Sequence, residues 1–139
     1  MCLTVLAAVG LLASVPLNAH HAVGGEYDEN KPATVTGTVT KIDWVNPHAR
    51  IHFEVKDPSG TVTSWSVELA ARVVLERMGW NGRSLKIGEQ ITVRGDQARS
   101  GAPMLNARAR EQRVLAGGRE APAEYPITRA DGTPVLNDR

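Results

Sequence analysis

The sequence predicts a mainly β fold, a small Greek-key barrel of five strands with one short helix between strands 3 and 4. Short segments alternate apolar and polar residues with a period of two, and turns containing Gly or Pro separate them. One segment in between spaces its apolar residues three and four positions apart. The chain has 139 residues, 42% of them apolar, which suits one domain of this kind.

The first two strands flank an Asn-Pro turn. Strand 1 is predicted over residues 34–45, which are rich in Thr and Val, and Gly37 would allow a bend there. Asn46 and Pro47 end this strand. Strand 2 follows, and its apolar residues occupy alternate positions, at Ile51, Phe53 and Val55.

A hairpin and a helix come next. The turn-forming residues 57–60, Asp-Pro-Ser-Gly, predict that strands 2 and 3 form a hairpin. Strand 3, over residues 61–69, is expected to expose one set of side chains to water: Ser64, Ser66 and Glu68. Residues 70–78 have helical spacing, and Gly79 would end the helix. The expected core residues include Phe53, Val55, Trp65, Val67 and Leu75.

Two further strands are predicted over residues 90–95 and 104–115. The resulting order β-β-β-α-β-β is typical of an OB-like barrel, the oligonucleotide/oligosaccharide-binding type, whose closure removes most free strand edges. An open sandwich is the alternative. The barrel is assigned to residues 34–116, a polar amino-terminal arm to residues 20–33 and a flexible carboxy-terminal tail to residues 117–139.

Residues 1–19 contain no charged side chain and form an apolar run that ends at the small residue Ala19. We interpret them as a secretory signal peptide, with a buried first helix as the alternative. The run is shorter than the roughly 20 residues of a membrane span, so no stable membrane insertion is expected after cleavage. Cleavage would also remove Cys2, the single cysteine. The expected location is the periplasm or the extracellular medium.

The net charge and the sequence motifs of the chain exclude several classes of function. The chain carries 16 Lys and Arg against 15 Asp and Glu, a net charge of +1, and for this reason no nucleic-acid partner is expected. It contains no GxSxG elbow, no HExxH motif and no phosphate-binding glycine loop. A noncatalytic ligand-binding protein is therefore expected.

Several short motifs point to a family. A His pair, His20-His21, directly follows the predicted signal, and residues 44–48 form a Trp-x-Asn-Pro-His turn. With Glu26-Tyr27-Asp28, Gly37-Thr38-Val39, Gly79-Trp80 and Ser84-Leu85-Lys86-Ile87-Gly88-Glu89, these motifs resemble a family of small secreted bacterial proteins classed as a domain of unknown function. The resemblance implies export and a single small β domain. It implies no activity, because the family has none assigned.

The histidines carry the functional hypothesis. After cleavage, the terminal amine and the imidazole of His20 would chelate one metal ion, an arrangement that suits copper first and zinc second. The predicted metal ligands are His20, His21, His48, Glu26 and Asp28. His52 is not expected to share an ion with His48, because four residues of extended strand span roughly 13 Å. The alternatives are a solvated terminus and a structural histidine at the strand corner.

Arginines near the end of the barrel support a different class of function. Arg94, Arg108 and Arg110 lie in the last two predicted strands. Through them the protein would act as an envelope interaction module that binds an acidic glycan or a protein partner. A solvated face paired with acidic residues is the structural alternative. A redox copper enzyme using His20 is a third option, and the tryptophans are expected to pack in the core rather than to bind a sugar or a base.

Overall fold

The computed structural model describes residues 25–107 and 126–135. The predicted signal peptide, residues 1–19, lies outside the described residues. The described elements are β1 (Tyr27–Asp43), β2 (Arg50–Lys56), β3 (Val62–Glu68), α1 (Arg72–Arg77), β4 (Gln90–Ala98), β5 (Met104–Asn106) and β6 (Ile127–Arg129). Within these ranges no helix has the length and apolar character needed to cross a membrane.

The strands close into a barrel. Its order is β1-β2-β3-β5-β4, and β4 pairs with β1 to complete the ring. The long strand β1 pairs antiparallel with β4 through its first part and with β2 through its last part. Strands β3 and β5 pair in parallel, and β6 pairs antiparallel with residues 91–93 of β4, on the edge of β4 that β5 also uses. This mostly β barrel, with α1 between β3 and β4, confirms the predicted OB-like fold.

The core fills the inside of the barrel. Phe53, Val67 and Leu75 are each 0% exposed, as expected from their positions in the sequence. Val55 and Trp65 are only partly buried and pack against this core. The helix is short and contributes one fully buried side chain, Leu75. The other buried apolar side chains come from the strands and from the loops that join them.

Gly37 marks a close approach of β1 and β2. A Cβ atom at this position would lie 2.5 Å from the backbone oxygen of Glu54 and 2.8 Å from the ring of Phe53. The register of β1 against β2 shifts between Val39 and Lys41, just after this glycine. A residue without a side chain is required where β1 bends over its neighbour.

Strand β1 begins earlier than predicted. The arm assigned to residues 20–33 is wrong for residues 27–33, which belong to β1. Tyr27 pairs with Ala98 and Pro32 with Asp96 of β4, with an irregularity in between. The sequence of this segment is polar and lacks alternation, but β4 supplies the hydrogen-bonding partner that makes it a strand.

The flexible tail predicted for residues 117–139 is wrong for residues 126–135. Residues 127–129 form β6, and Ile127 and Val135 are both buried. The backbone N–H of Arg94 donates to the carbonyl of Pro126 at 2.7 Å. Prolines interrupt any regular alternation in this segment. Ile127 enters the core because its strand pairs with β4.

Candidate metal centre

His48 lies in the loop between β1 and β2, beside the end of β3. The neighbouring residue Ala49 is fully buried and pairs through its backbone with the chain that follows β3. Leu69 N–H donates to the carbonyl of Ala49 at 2.9 Å, and Ala49 N–H donates to the carbonyl of Ala70 at 3.2 Å. The Asn46-Pro47 peptide bond in this loop is cis. The paired backbone places His48 next to Glu68, the last residue of β3.

Glu68 is the centre of a buried polar network. Its Oε1 lies 2.8 Å from Nδ1 of His48, whose side chain is 28% exposed, whereas that of Glu68 is 8% exposed. Its Oε2 accepts hydrogen bonds from Arg50 Nη2 at 3.1 Å and from the Tyr27 hydroxyl at 3.4 Å. Arg50 is the cross-strand partner of Glu68 in the β2–β3 hairpin. The guanidinium supplies the opposite charge that a buried carboxylate requires.

Tyr27 closes this network from the start of β1. Burial, followed by the negative charges of Glu68 and Glu26, raises the pKa of the Tyr27 hydroxyl to about 12. The hydroxyl therefore keeps its proton at neutral pH and donates a hydrogen bond to Glu68. This contact ties the beginning of the described chain to the carboxylate that holds His48.

The geometry determines which nitrogen of His48 can bind a metal ion. An ionised carboxylate only accepts hydrogen bonds, so Nδ1 carries the proton in the neutral ring and Nε2 has the free lone pair. Histidines that ligate metals commonly donate their other N–H to a carboxylate in this way. In a metal site, His48 would therefore bind through Nε2, with Glu68 orienting the ring.

The structure describes two of the other predicted ligands, Glu26 and Asp28, and they form no metal-binding group with His48. The carboxylate of Asp28 accepts the backbone N–H of Asn30 at 3.1 Å and lies 4.0 Å from Arg99 Nη2. Glu26 is exposed. In residues 25–107 and 126–135, no group of three or more His, Cys, Asp or Glu side chains is arranged to hold a metal ion. His20 and His21 lie outside these ranges, so the complete metal site stays a prediction.

His52 belongs to a separate cluster. Its Nε2 lies 2.8 Å from Oδ2 of Asp43, and Lys41 Nζ lies 2.8 Å from Oδ1 of the same carboxylate. Hydrogen bonds from Lys41 and then from His52 hold the pKa of Asp43 below its ordinary value. His48 and His52 therefore contact different carboxylates.

Sequence patterns did not mark three residues of this network as parts of a site: Glu68, Arg50 and Tyr27. Glu68 and Ser66 were expected to face water, and both are buried. A signal was present in the hairpin, because a loop over residues 57–61 places Arg50 opposite Glu68. Opposite charges at facing positions of neighbouring strands predict a contact. Strand alternation alone does not show that other parts of the chain cover this face.

The arginine face is described only in part. Arg94 lies in β4 opposite Thr34 of β1. Arg108 and Arg110 lie outside the described residues, so this face stays a prediction. Of the tryptophans, Trp80 is buried and stacks on Trp44, with ring centroids 6.5 Å apart and an angle of 6° between the planes.

Solved structures of other proteins are similar to this chain. One is the N-terminal domain of PriB protein from Thermoanaerobacter tencongensis, with 17% identity over 55% of this chain and 91% of that chain and a TM-score of 0.39. Another is a small single-stranded DNA-binding protein from Streptomyces coelicolor, with 14% identity over 53% of this chain and 82% of that chain and a TM-score of 0.33. At these identities the likeness concerns the fold alone. No curated protein matches the chain significantly.

One expectation is corrected by this finding. Nucleic acid was excluded as a partner because the net charge is only +1. One of the similar structures is nevertheless a single-stranded DNA-binding protein. Net charge describes the whole molecule, whereas recognition depends on local patches, so it was not a valid reason to exclude nucleic acid.

The family resemblance is confirmed by a match to a family model. The match covers residues 8–105 of the 139-residue chain and therefore includes the His pair, the Trp-x-Asn-Pro-His turn and the barrel as far as β5. The chain belongs to the family of unknown function DUF6152.

Proposed function

We propose that this is an exported, noncatalytic metal-binding β-barrel protein that binds Cu(II), with Zn(II) as the second choice, through His48 and an amino-terminal histidine arm. The observation that supports it is the 2.8 Å contact between His48 Nδ1 and Glu68 Oε1. A buried carboxylate at this distance orients the ring and raises its basicity as a ligand. The expected location is the periplasm or the extracellular medium.

The surroundings of Glu68 support this role. Arg50 and Tyr27 hold the second carboxylate oxygen, so Glu68 is anchored on both sides. The side chain of His48 remains partly exposed, and it contacts Glu68 through Nδ1 rather than through Nε2. A histidine fixed in this way loses little conformational freedom when it binds a metal ion.

The length of the amino-terminal arm also supports the proposal. His20 precedes Tyr27 by seven residues. Residues 25–26 are helical, and the five residues 20–24 before them span up to roughly 17 Å when extended. Tyr27 contacts the same carboxylate as His48. The arm is therefore long enough to bring the terminal amine and imidazole of His20 to Nε2 of His48. Three nitrogen ligands of this kind suit Cu(II), and His21 would supply a further ligand.

The test is metal binding by the processed protein. The chain is expressed with its native start, recovered from the periplasm and checked by intact mass, which should show a first residue at His20. Equilibrium dialysis against Cu(II) and Zn(II) should give one tightly bound ion per chain. His48→Ala should weaken copper binding about 10- to 100-fold, and one residue added before His20 should do the same. His52→Ala is the matched control and should bind like the parent.

Two results would overturn the proposal. The first is equal copper uptake by the parent, His48→Ala and the extended protein. The second is a mature chain that begins at another residue, since the terminal amine would then no longer belong to His20. Circular dichroism of each variant shows that the barrel is intact, so that lost binding is assigned to lost ligands.

A further inference from the structure

The loop between α1 and β4 contains a cleft that the proposed metal site does not use. Its volume is about 410 Å³, and its lining residues are Arg83, Ser84, Lys86, Ile87, Glu89 and Arg129. The lining contains three cationic side chains and one carboxylate. None of these residues contacts His48 or Glu68 in the network described above, so the cleft is independent of that site.

The base of the cleft is electrically balanced. Arg129 Nε lies 2.9 Å from Oε1 of Glu89, and Arg129 Nη2 donates to the carbonyl of Ser84 at 3.0 Å. The second oxygen of Glu89 accepts the backbone N–H of Lys86 at 2.9 Å. Arg129 and the loop backbone thus engage both carboxylate oxygens of Glu89. This carboxylate therefore does not neutralise the positive charges of the other two cations of the cleft.

Those cations are the side chains of Arg83 and Lys86, both exposed. In the part of the chain that the structure describes, neither forms an ion pair with a carboxylate. Two unpaired cations in one cleft attract an anion, and their repulsion is relieved when the anion binds. The cleft therefore favours a ligand with two negative charges.

The loop presents these groups in a defined arrangement. The side-chain oxygen of Asn81 accepts the backbone N–H of Arg83 at 2.8 Å, and Asn81 N–H donates to Ser84 Oγ at 2.9 Å. Ser84 Oγ is an acceptor in that bond, so its own hydrogen is available to a ligand. Gly88 N–H donates to the carbonyl of Val39 at 2.8 Å and ties the loop to β1.

We propose that this cleft binds the phosphate group of an organic phosphate monoester. Arg83, Ser84 and Lys86 offer three donors, which match the three terminal oxygens of a phosphate monoester. A carboxylate has only two oxygens and one charge. Ile87, which is 72% exposed at the rim, supplies an apolar contact for the organic group.

The experiment is a calorimetric titration of the full processed protein with phenyl phosphate, inorganic phosphate and benzoate. Phenyl phosphate should bind most tightly and benzoate least. Arg83→Gln and Lys86→Gln should each weaken phenyl phosphate binding by at least about tenfold. Lys56→Gln, an exposed lysine at the end of β2, is the control and should bind like the parent. Ile87→Ser should weaken binding of phenyl phosphate but not of inorganic phosphate.

Binding to lipid vesicles distinguishes the two sources of the phosphate group, a lipid headgroup and a soluble phosphate ester. If the protein sediments with phosphatidic acid vesicles but not with phosphatidylcholine vesicles, and Arg83→Gln prevents it, the phosphate belongs to a lipid headgroup. If the soluble ester binds and the vesicles do not, the ligand is a soluble phosphate ester.

The proposal is overturned by any of three results: no binding of phenyl phosphate, equal affinity of Lys86→Gln and Lys56→Gln, or tighter binding of a single-stranded DNA oligonucleotide, whose phosphates are diesters. Failure of copper binding would leave the cleft untouched, because the two sites share no residue.

Discussion

Replacing Glu68 by Ala should destabilise the barrel strongly, because one buried carboxylate serves three donors. His48 Nδ1, Arg50 Nη2 and the Tyr27 hydroxyl would all lose their acceptor. A buried donor without a partner costs the desolvation free energy that its hydrogen bond had offset. The size of the effect follows from how easily each donor reaches water in the variant.

Tyr27 is 3% exposed and cannot regain water in the folded state, so its orphaned hydroxyl should cost about 2 kcal/mol. The side chains of His48 and Arg50 are 28% and 31% exposed. Solvent replaces much of their lost interaction, and together they should add about 1 kcal/mol. The sum of about 3 kcal/mol corresponds to a melting temperature lower by roughly 10 °C for a domain of this size.

Urea denaturation followed by tryptophan fluorescence, in buffer with a chelator, measures this free energy of unfolding. Glu54→Ala is the matched control, because Glu54 lies in the same hairpin and is exposed. Its substitution should change the free energy of unfolding by less than about 0.5 kcal/mol. If Glu68→Ala and Glu54→Ala unfold within about 1 kcal/mol of each other, the buried network does not hold the site as we argue.

Three further predictions concern stability. Since the pKa of the Tyr27 hydroxyl is raised from 10.0 to about 12 in the folded protein, the unfolded chain loses this proton first. The stabilisation that Tyr27 provides is therefore complete below pH 10. As the pH rises to about 12 it is lost, and the free energy of unfolding falls by about 1.4 kcal/mol per pH unit. In urea denaturation, the free energy of unfolding of Tyr27→Phe should not show this dependence on pH. An equal dependence in the variant and the parent would contradict the prediction. Gly37→Ala should lower the free energy of unfolding by about 1–3 kcal/mol, because its Cβ would lie 2.5 Å from a backbone oxygen of β2. Gly25→Ala is the control, because a Cβ there would meet nothing within 4 Å. Equal denaturation midpoints of the two variants would refute the close approach. Leu75→Ala should lower the free energy of unfolding by about 2–5 kcal/mol, because Leu75 is 0% exposed. Val73 is 49% exposed, so Val73→Ala should lower stability far less in thermal melts. Similar losses of stability in the two variants would show that α1 does not pack as described.

The barrel could be predicted because its signals are local. Ile51, Phe53 and Val55 alternate with polar residues, and this pattern alone assigns β2 and its inner face. The change of period after β3 predicted α1 at nearly its observed place. Each of these signals lies within one element, so no knowledge of its neighbours was needed.

The extents of strands and the buried polar site could not be predicted in this way. Residues 27–33 and 127–129 lack alternation and become strands because β4 offers them a partner. Glu68 stands at a polar position of β3, yet Tyr27 covers it from another strand. Backbone pairing and burial depend on residues far apart in sequence, which no local window contains.

By itself the sequence determined the mainly β class, the order of the elements and the choice of His48 as a residue of interest. Only the tertiary structure decided that His48 meets the buried carboxylate of Glu68 and that Arg83 and Lys86 share a cleft with Arg129. The physical reason is that alternation along a strand reports the side to which a residue points. Which groups meet on that side, and whether water reaches them, depends on how the barrel closes.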